Sequence, residues 1–248
     1  PSLANPKGSL HPITKTVREM REIFGSMGFE SIEGPEMEDD WHNFEALNIP
    51  PNHPARDLWD TFWLKPKSDG LLLRTHTSPV QLRYMQDNNP PFRIISPGRA
   101  FRYEATDASH EIQFYQLEGL MADDAGKISV ASFRAIMGEF YSRFFKKEIK
   151  TRLRPSYFPF VEPGFEVDIS CISCGGEGCS VCSQTGWLEM MGAGMVHPKV
   201  FESVGYNPRN LSGFAFGMGI DRLAMMKYKI GDVRMFYSGD LRFLSQFR

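Results

Sequence analysis

The sequence predicts an α+β fold: one antiparallel sheet flanked by helices. Three observations carry that expectation. Two long segments repeat apolar residues at helical spacing, Ile13 to Met27 and Ser129 to Lys150. From Gly70 onward strand-like runs dominate, but they do not alternate with helices at the regular intervals of βαβ units, which argues against a parallel sheet. The stretch Gly98 to Gly119, GRAFRYEATDASHEIQFYQLEG, reads as two extended runs joined by a polar loop, an antiparallel hairpin.

Composition sets the outer bounds. The chain has 248 residues, 42% hydrophobic and 23% charged, which suits one large domain with a substantial core. We find no internal repeat, low-complexity tract or long linker, so residues 1–248 are taken as a single domain. A formal charge of -2 offers no global basic field for nucleic acid. Any such contact must come from local patches or from other chains. No apolar run is long enough to span a bilayer, and the start at Pro1 does not read as a signal peptide.

In chain order, Ile13, Val17, Met20, Phe24 and Met27 recur at spacings of three and four, and Gly28 follows as a stop. A short extended run, Phe29 to Ile32, ends near Pro35. Asn48 to Pro54 is a proline-rich loop, and Leu58 to Leu64 a tryptophan-rich strand or turn. In RTHTSPVQLRYM, from Arg74, Ser78 reads as an N-cap and Pro79 as the first helical residue. Free N–H groups near His76 and Ser78 would then suit an anion such as a carboxylate.

The hairpin is unusual for a core strand. Side chains alternate along an extended chain, so Arg102 and Glu104 share one face, as do Phe114, Gln116 and Glu118, with Phe101, Tyr103, Tyr115 and Leu117 interleaved. Charges on a sheet face are costly to bury without partners. The platform therefore faces water, as exposed sheets commonly do, or holds a polar ligand. The loop EATDASHE sets His110 among small polar residues, as a mobile loop over phosphates would require.

The second long helix carries Val130, Phe133, Met137, Phe140 and Phe144 on one stripe, with a basic end. Phe158 and Phe160, two apart in SYFPFVEP, project to one side and are core rings or a ring-binding pair. Cys171, Cys174, Cys179 and Cys182 are spaced CxxC, four residues, CxxC, a zinc-ligand pattern, with Gly175, Gly176 and Gly178 to turn the chain. Four thiolates leave no open position, so the ion is structural, at the tip of a hairpin formed by Phe165 to Ile169 and Trp187 to Met190. An empty reduced site and paired disulfides are the alternatives. SGFAFGMGIDRLAM, from Ser212, reads as a glycine-rich strand running into a helix at Asp221. Gly217 and Gly219 there admit a flat ligand, and Arg222 supplies a planar cation.

RTHTSPVQLRYM, FRYE…QLEG, PSYFPFVEPGFEV, GAGMVHPKV and SGFAFGMGIDRLAM, in this order, resemble the class II aminoacyl-tRNA synthetases, specifically bacterial phenylalanyl-tRNA synthetase α subunits. The resemblance covers nearly the whole chain. It implies an antiparallel catalytic domain with motif 1 at about 12–35, motif 2 at about 93–121, a zinc-knuckle-like insertion at 171–182 and motif 3 at about 212–230. The family's N-terminal tRNA-binding extension is expected to be absent, and motif 1 would be an interface element or simply a packing helix.

By the same resemblance, Trp59, His76, Ser78, Gln81, Gln116 and Glu118 would hold the phenylalanine backbone, with Phe158, Phe160, Val161, Ala193 and Ala215 around its ring. Arg102, Glu104, His110, Phe114, Gly217, Gly219 and Arg222 would bind ATP. Arg102 would meet the α-phosphate, His110 the distal phosphates, and Phe114 and Arg222 opposite faces of adenine. Arg102, His110 and Arg222 are the catalytic candidates, and Glu189 a ribose or magnesium contact.

The implied reaction is adenylate formation from L-phenylalanine and ATP with Mg2+, then transfer to the 3' end of tRNA(Phe), in an α2β2 assembly with a β subunit, in the cytoplasm. A hydrophobic pocket rejects an added hydroxyl only about 100-fold, so editing is expected; in the family it belongs to the β subunit. Many bacterial members lack the four cysteines, which separates them from the shared chemistry. CISCGGEGC also resembles the zinc repeats of DnaJ-type chaperones, a protein-binding alternative, and a paralogue that has lost aminoacylation is another.

Overall fold

The computed structural model describes residues 8–247; the start at Pro1, on which the expectation of an absent extension rests, lies outside them. Helix α1 spans Pro12–Ser26 and β1 Glu30–Ser31; β2 is Met37–Asp39, α2 Asp40–Asn43, β3 Leu71–Leu73 and α3 Pro79–Asp87. The hairpin strands are β4, Phe92–Phe101, and β5, Gln113–Asp124, followed by α4, Val130–Phe145. Then come β6 Thr151–Phe158, β7 Val161–Ser170, β8 Trp187–Val196, α5 Pro198–Ser203, β9 Leu211–Gly219, α6 Ile220–Tyr228 and α7 Leu241–Leu244.

Seven strands form one sheet in the order β1-β4-β5-β9-β8-β7-β6, antiparallel except where β1 lies parallel to β4. A separate ribbon pairs β2 with β3. The predicted α+β class is therefore present.

Alternation along the central strands divides the core in two. Leu117 and Met121 of β5, with Phe214, Phe216 and Met218 of β9, face a layer made by α1, α4 and α6. Phe24 of α1 stacks on Phe140 of α4 with ring centroids 4.6 Å apart, closing that layer. Leu120, Ala122 and Ala215 face the other way, against Phe44, Leu47, Ile49, Leu82, Met85 and Phe201. This second layer covers only part of its face, and the functional pocket opens where it stops.

The predicted α1 stripe is observed: Ile13, Met20 and Phe24 are buried, and Gly28 ends the turn at φ +83°. The second helix ends five residues before its periodicity suggests, at Phe145 rather than Lys150. Lys146 adopts a left-handed conformation, φ 53°, and its N–H bonds the carbonyls of Arg143 and Ser142, so the basic run lies beyond the helix. Leu58 to Leu64 is not a strand: a 3-10 turn covers Pro54–Leu58, and Trp63 makes a single bridge to Leu72. Strand β4 ends at Phe101, so Arg102 and Glu104 stand in the connecting loop, where alternation no longer assigns their faces.

The cysteine segment does form the tip of a hairpin. Asp168 pairs with Glu189 and Ser170 with Trp187, and the Cys171 N–H to Gly186 carbonyl bond of 2.8 Å carries the ladder to the first cysteine.

Candidate active site

The pocket lies where β5, β9 and β8 run side by side. Glu118 pairs with Gly217 and Gly217 with Gly192, so two neighbouring strands present glycines beside a carboxyl group. The hollow has a volume of about 140 Å³, close to the roughly 150 Å³ of an apolar cavity that accepts benzene. Along β9, Gly219 faces Gln116 and Ala215 faces Leu120. The floor therefore grades from polar to apolar over four residues.

The glycines have separate tasks. A Cβ on Gly192 would come within 2.7 Å of the Phe158 ring, and one on Gly217 within 2.5 Å of the Gln116 amide nitrogen. Gly217 therefore clears space for Gln116 and Glu118. A Cβ on Gly219 would meet nothing nearer than 3.9 Å, so only this position leaves open room of the kind expected for a flat ligand.

At the apolar end, Phe158 and Phe160 stand 6.1 Å apart, near-parallel at 25°, around the β6–β7 turn, and Ala215 is buried beside them. Val161 does not line the pocket. It is buried behind it, where a Cβ on Gly194 would come within 2.7 Å of its own Cβ. Ala193 borders the pocket, but its methyl belongs to the helical layer on the other side. The β8 residue facing the hollow is Gly192. A bulge explains the exchange: Asp168 pairs with Glu189 but Val167 with Met191, so Met190 is extra and the alternation reverses.

At the polar end, Glu118 is buried and hydrogen-bonded by neutral groups: the Gln81 amide, the Gln116 amide at 3.3 Å and the hydroxyls of Ser78 and Thr77. Burial pushes its pKa up to about 8, the hydrogen bonds only partly opposing this. No salt bridge reaches it among the described residues. Ser78 sits at the start of α3 but makes no cap; already helical at φ -61°, ψ -26°, it turns its hydroxyl to Glu118. The carboxyl group at this helix start is therefore the protein's own, which replaces the expected site for an external carboxylate. Gln81 reaches the pocket only through Glu118.

Two polar groups here lack close partners among the described residues: by distance and angle, neither ring nitrogen of buried His76 nor the Gln116 carbonyl oxygen makes a hydrogen bond to them. Burial, with Arg102 and Arg74 near, holds the His76 pKa down at about 3, so the imidazole is neutral. Trp59 lies edge-on to it at 5.3 Å. A buried acid without a cation, beside an unused acceptor, is a complementary environment for an ammonium group.

Arg102 connects this pocket to the loop. Its Nε donates to the Thr75 carbonyl at 3.0 Å, its guanidinium lies 5.0 Å from the Phe114 centroid, and Glu104 is 3.9 Å away. His110 is exposed. It pairs with Asp107 at 3.0 Å, and Asp107 also accepts the Ser109 and His110 N–H groups, so the loop carries its own hydrogen-bonded turn. His110 and Arg222 border a second cleft with Lys146, Lys147, Lys227 and Lys229, sharing no lining residue with the first pocket. Arg222 is exposed and does not contact Phe114 among the described residues. Arg102 occupies one face of that ring instead.

Glu189 stands apart from both clefts, bonded to Arg154 at 2.7 Å beside the Arg154–Asp168 pair. Among the described residues, two groups have metal-ligand geometry: the four cysteines, and Glu38, Asp39 and His42. The second is otherwise engaged, since Arg83 holds Glu38 through two nitrogens and Asp39 accepts the His42 N–H at the start of α2.

Sequence reasoning missed Gly192, Thr77 and two buried supports. Arg74 donates to the carbonyls of Arg99, Gly34 and Pro35, tying the segment before α3 to β4 and to residues 34–35. Asp221, whose pKa burial raises to about 6, accepts the Tyr115 N–H and the Tyr237 hydroxyl, tying α6 to β5. The arginine of RTHTS and the aspartate of GIDR were visible signals for both.

Comparisons with known proteins agree on the fold. A family model described as "tRNA synthetases class II core domain (F)" matches residues 1–247. A phenylalanine–tRNA ligase alpha subunit from Trichlorobacter lovleyi is 54% identical over 247 residues, all of this chain and 71% of its own length. One from Leptospira biflexa is 57% identical over 241 residues, 97% of this chain and 69% of its own. The crystal structure of pyrrolysyl-tRNA synthetase from Desulfitobacterium hafniense superposes with a TM-score of 0.68 at 17% identity, covering 95% of this chain and 76% of that one.

Proposed function

Because this chain belongs to the family of class II tRNA synthetase core domains, we propose that the pocket and the cleft bordered by His110 and Arg222 together activate an amino acid with ATP. The chain is a ligase. In this reading it joins L-phenylalanine to ATP as phenylalanyl-adenylate and passes the phenylalanyl group to the 3' end of tRNA(Phe), acting as the catalytic α subunit of an α2β2 enzyme; the relatives named phenylalanine–tRNA ligase alpha subunit support it. The observation that carries this reading is the graded pocket of about 140 Å³: Phe158, Phe160 and Ala215 at one end, and Glu118 buried at the other with no salt bridge among the described residues.

Phenylalanine would enter ring first, between Phe158, Phe160 and Ala215. Its ammonium group would meet Glu118 and the free Gln116 carbonyl oxygen, and neutral His76 would contact its polar end. The carboxylate oxygen then attacks the α-phosphorus of ATP. The bond from that phosphorus to the bridging oxygen breaks, and pyrophosphate leaves with the electron pair. No protein nucleophile takes part, so the residues work by positioning and charge stabilisation.

Arg102, which lines the pocket and reaches Phe114, suits the α-phosphate, with Glu104 beside it. Phe114 would support adenine over the open floor at Gly219, and His110 and Arg222 would meet the distal phosphates. Mg2+ would accompany ATP and neutralise phosphate charge. Glu189, held by Arg154, would have to exchange that partner to serve it. The four cysteines would hold a structural zinc. The motif boundaries and single-domain layout given above, a β-subunit partner and a cytoplasmic location complete the reading. No helix among the described residues is long and apolar enough to cross a membrane.

The deciding experiment is phenylalanine-dependent exchange of pyrophosphate into ATP, run with and without the β subunit. Exchange with phenylalanine and none with leucine is expected. Absence of exchange in the complete assembly would leave only the fold.

A further inference from the structure

The segment between β7 and β8 is unused by the chemistry above, yet it borders it. Four sulfur atoms converge there, with Sγ separations of 3.8 Å for Cys171–Cys179, 3.9 Å for Cys174–Cys182 and 3.7 Å for Cys179–Cys182. All four ligand atoms lie within 4.8 Å of one another. A tetrahedral zinc with bonds of about 2.3 Å requires sulfurs about 3.8 Å apart. A disulfide requires about 2.05 Å, and all four cysteines are free.

The backbone is arranged for the same end. N–H groups of Gly178, Cys179 and Gly186 point at Cys174 and Cys182 sulfurs, at 3.2, 3.2 and 3.3 Å, as thiolate ligands favour. Gly178 is at φ +104°, and a Cβ on Gly186 would lie 2.2 Å from the Gly176 carbonyl oxygen. The outer surface of this knuckle, Ile172, Ser173 and Val181, forms one wall of the cleft that holds His110 and Arg222. Lys147 ties it to the end of α4 through the Ile172 carbonyl, at 3.1 Å.

We propose that Cys171, Cys174, Cys179 and Cys182 bind one zinc ion, and that this ion sets the position of the wall facing His110 and Arg222. The metal assignment stands on the sulfur geometry alone. Its link to catalysis rests on the reading that this cleft takes the distal phosphates.

The test uses the intact assembly. Elemental analysis should find about one zinc per chain, and an organomercurial should release it in step with thiol modification. Release should speed hydrogen exchange in 171–186 and in the facing loop 108–112, and raise the KM for ATP several-fold with phenylalanine binding unchanged. A Cys174→Ser, Cys182→Ser double variant should match the treated protein; if it fails to fold, the reversible displacement still decides.

Protein purified with zinc supplied but carrying none, or carrying Cys–Cys disulfides, would overturn the metal site. Stoichiometric zinc whose release leaves loop exchange unchanged would overturn the wall. If the zinc-loaded enzyme shows no pyrophosphate exchange, the functional reading fails, while zinc content and loop exchange still decide this proposal.

Discussion

Glu118 carries the most testable consequence at the residue scale. With its pKa at about 8 in the free site, it is protonated at neutral pH, while binding an ammonium group calls for the carboxylate. The apparent affinity for phenylalanine should therefore rise up to tenfold per pH unit as pH climbs towards 8, and level off above it. Glu118→Gln should weaken binding and flatten that slope in calorimetric titrations; a slope retained in the variant would assign the proton elsewhere. The same shift affects folding, with its sign fixed by linkage. A carboxyl group whose folded pKa is raised from about 4.5 to about 8 loses stability for the fold as pH rises through that window. The Glu118→Gln protein should melt higher than the parent at pH 8 and not at pH 4. Ala215, buried at the apolar end, gives a second prediction. Ala215→Gly should deepen the pocket and allow para-substituted phenylalanines to be activated in pyrophosphate exchange; a folded variant with unchanged analogue activity would place the ring elsewhere.

At the element scale, β8 shows what patterning can and cannot convey. Helix α1 and the β4–β5 hairpin were readable because burial on one side imposes a period of 3.6 or 2 on the sequence. Strict alternation along β8 counted from Glu189 puts Ala193 on the pocket face, whereas the extra residue at Met190 gives that face to Gly192. A bulge leaves no mark in composition, and a glycine whose task is to make room looks like any other. The partners of Glu118 were equally hard to foresee, since Thr77 and Ser78 in α3's approach resemble an ordinary cap. Gly192→Ala would drive a methyl into the Phe158 ring, 2.7 Å away. It should raise the KM for phenylalanine at least tenfold while leaving the KM for ATP within a factor of two; an equal rise in both would show that β8 shapes the ATP cleft as well.

At the scale of the whole molecule, the two faces of the sheet divide the labour. One is sealed by helices around Phe24, Phe140 and Phe216, whose rings stack at 4.6 and 5.6 Å; the other is left open for substrates. Phe24→Ala should cost about 3–5 kcal/mol in urea unfolding, with phenylalanine affinity unchanged in the protein that remains folded. A loss below about 1 kcal/mol would make α1 peripheral to the fold. The row Glu118, Gly217, Gly192 has a consequence for how such a site can diverge. Two of its three members are glycines, and nothing is smaller than glycine. Substitution at Gly217 or Gly192 can only make the hollow shallower, so descendants that accept larger amino acids must change Ala215 or the two rings, while those that take smaller ones have both glycines to vary.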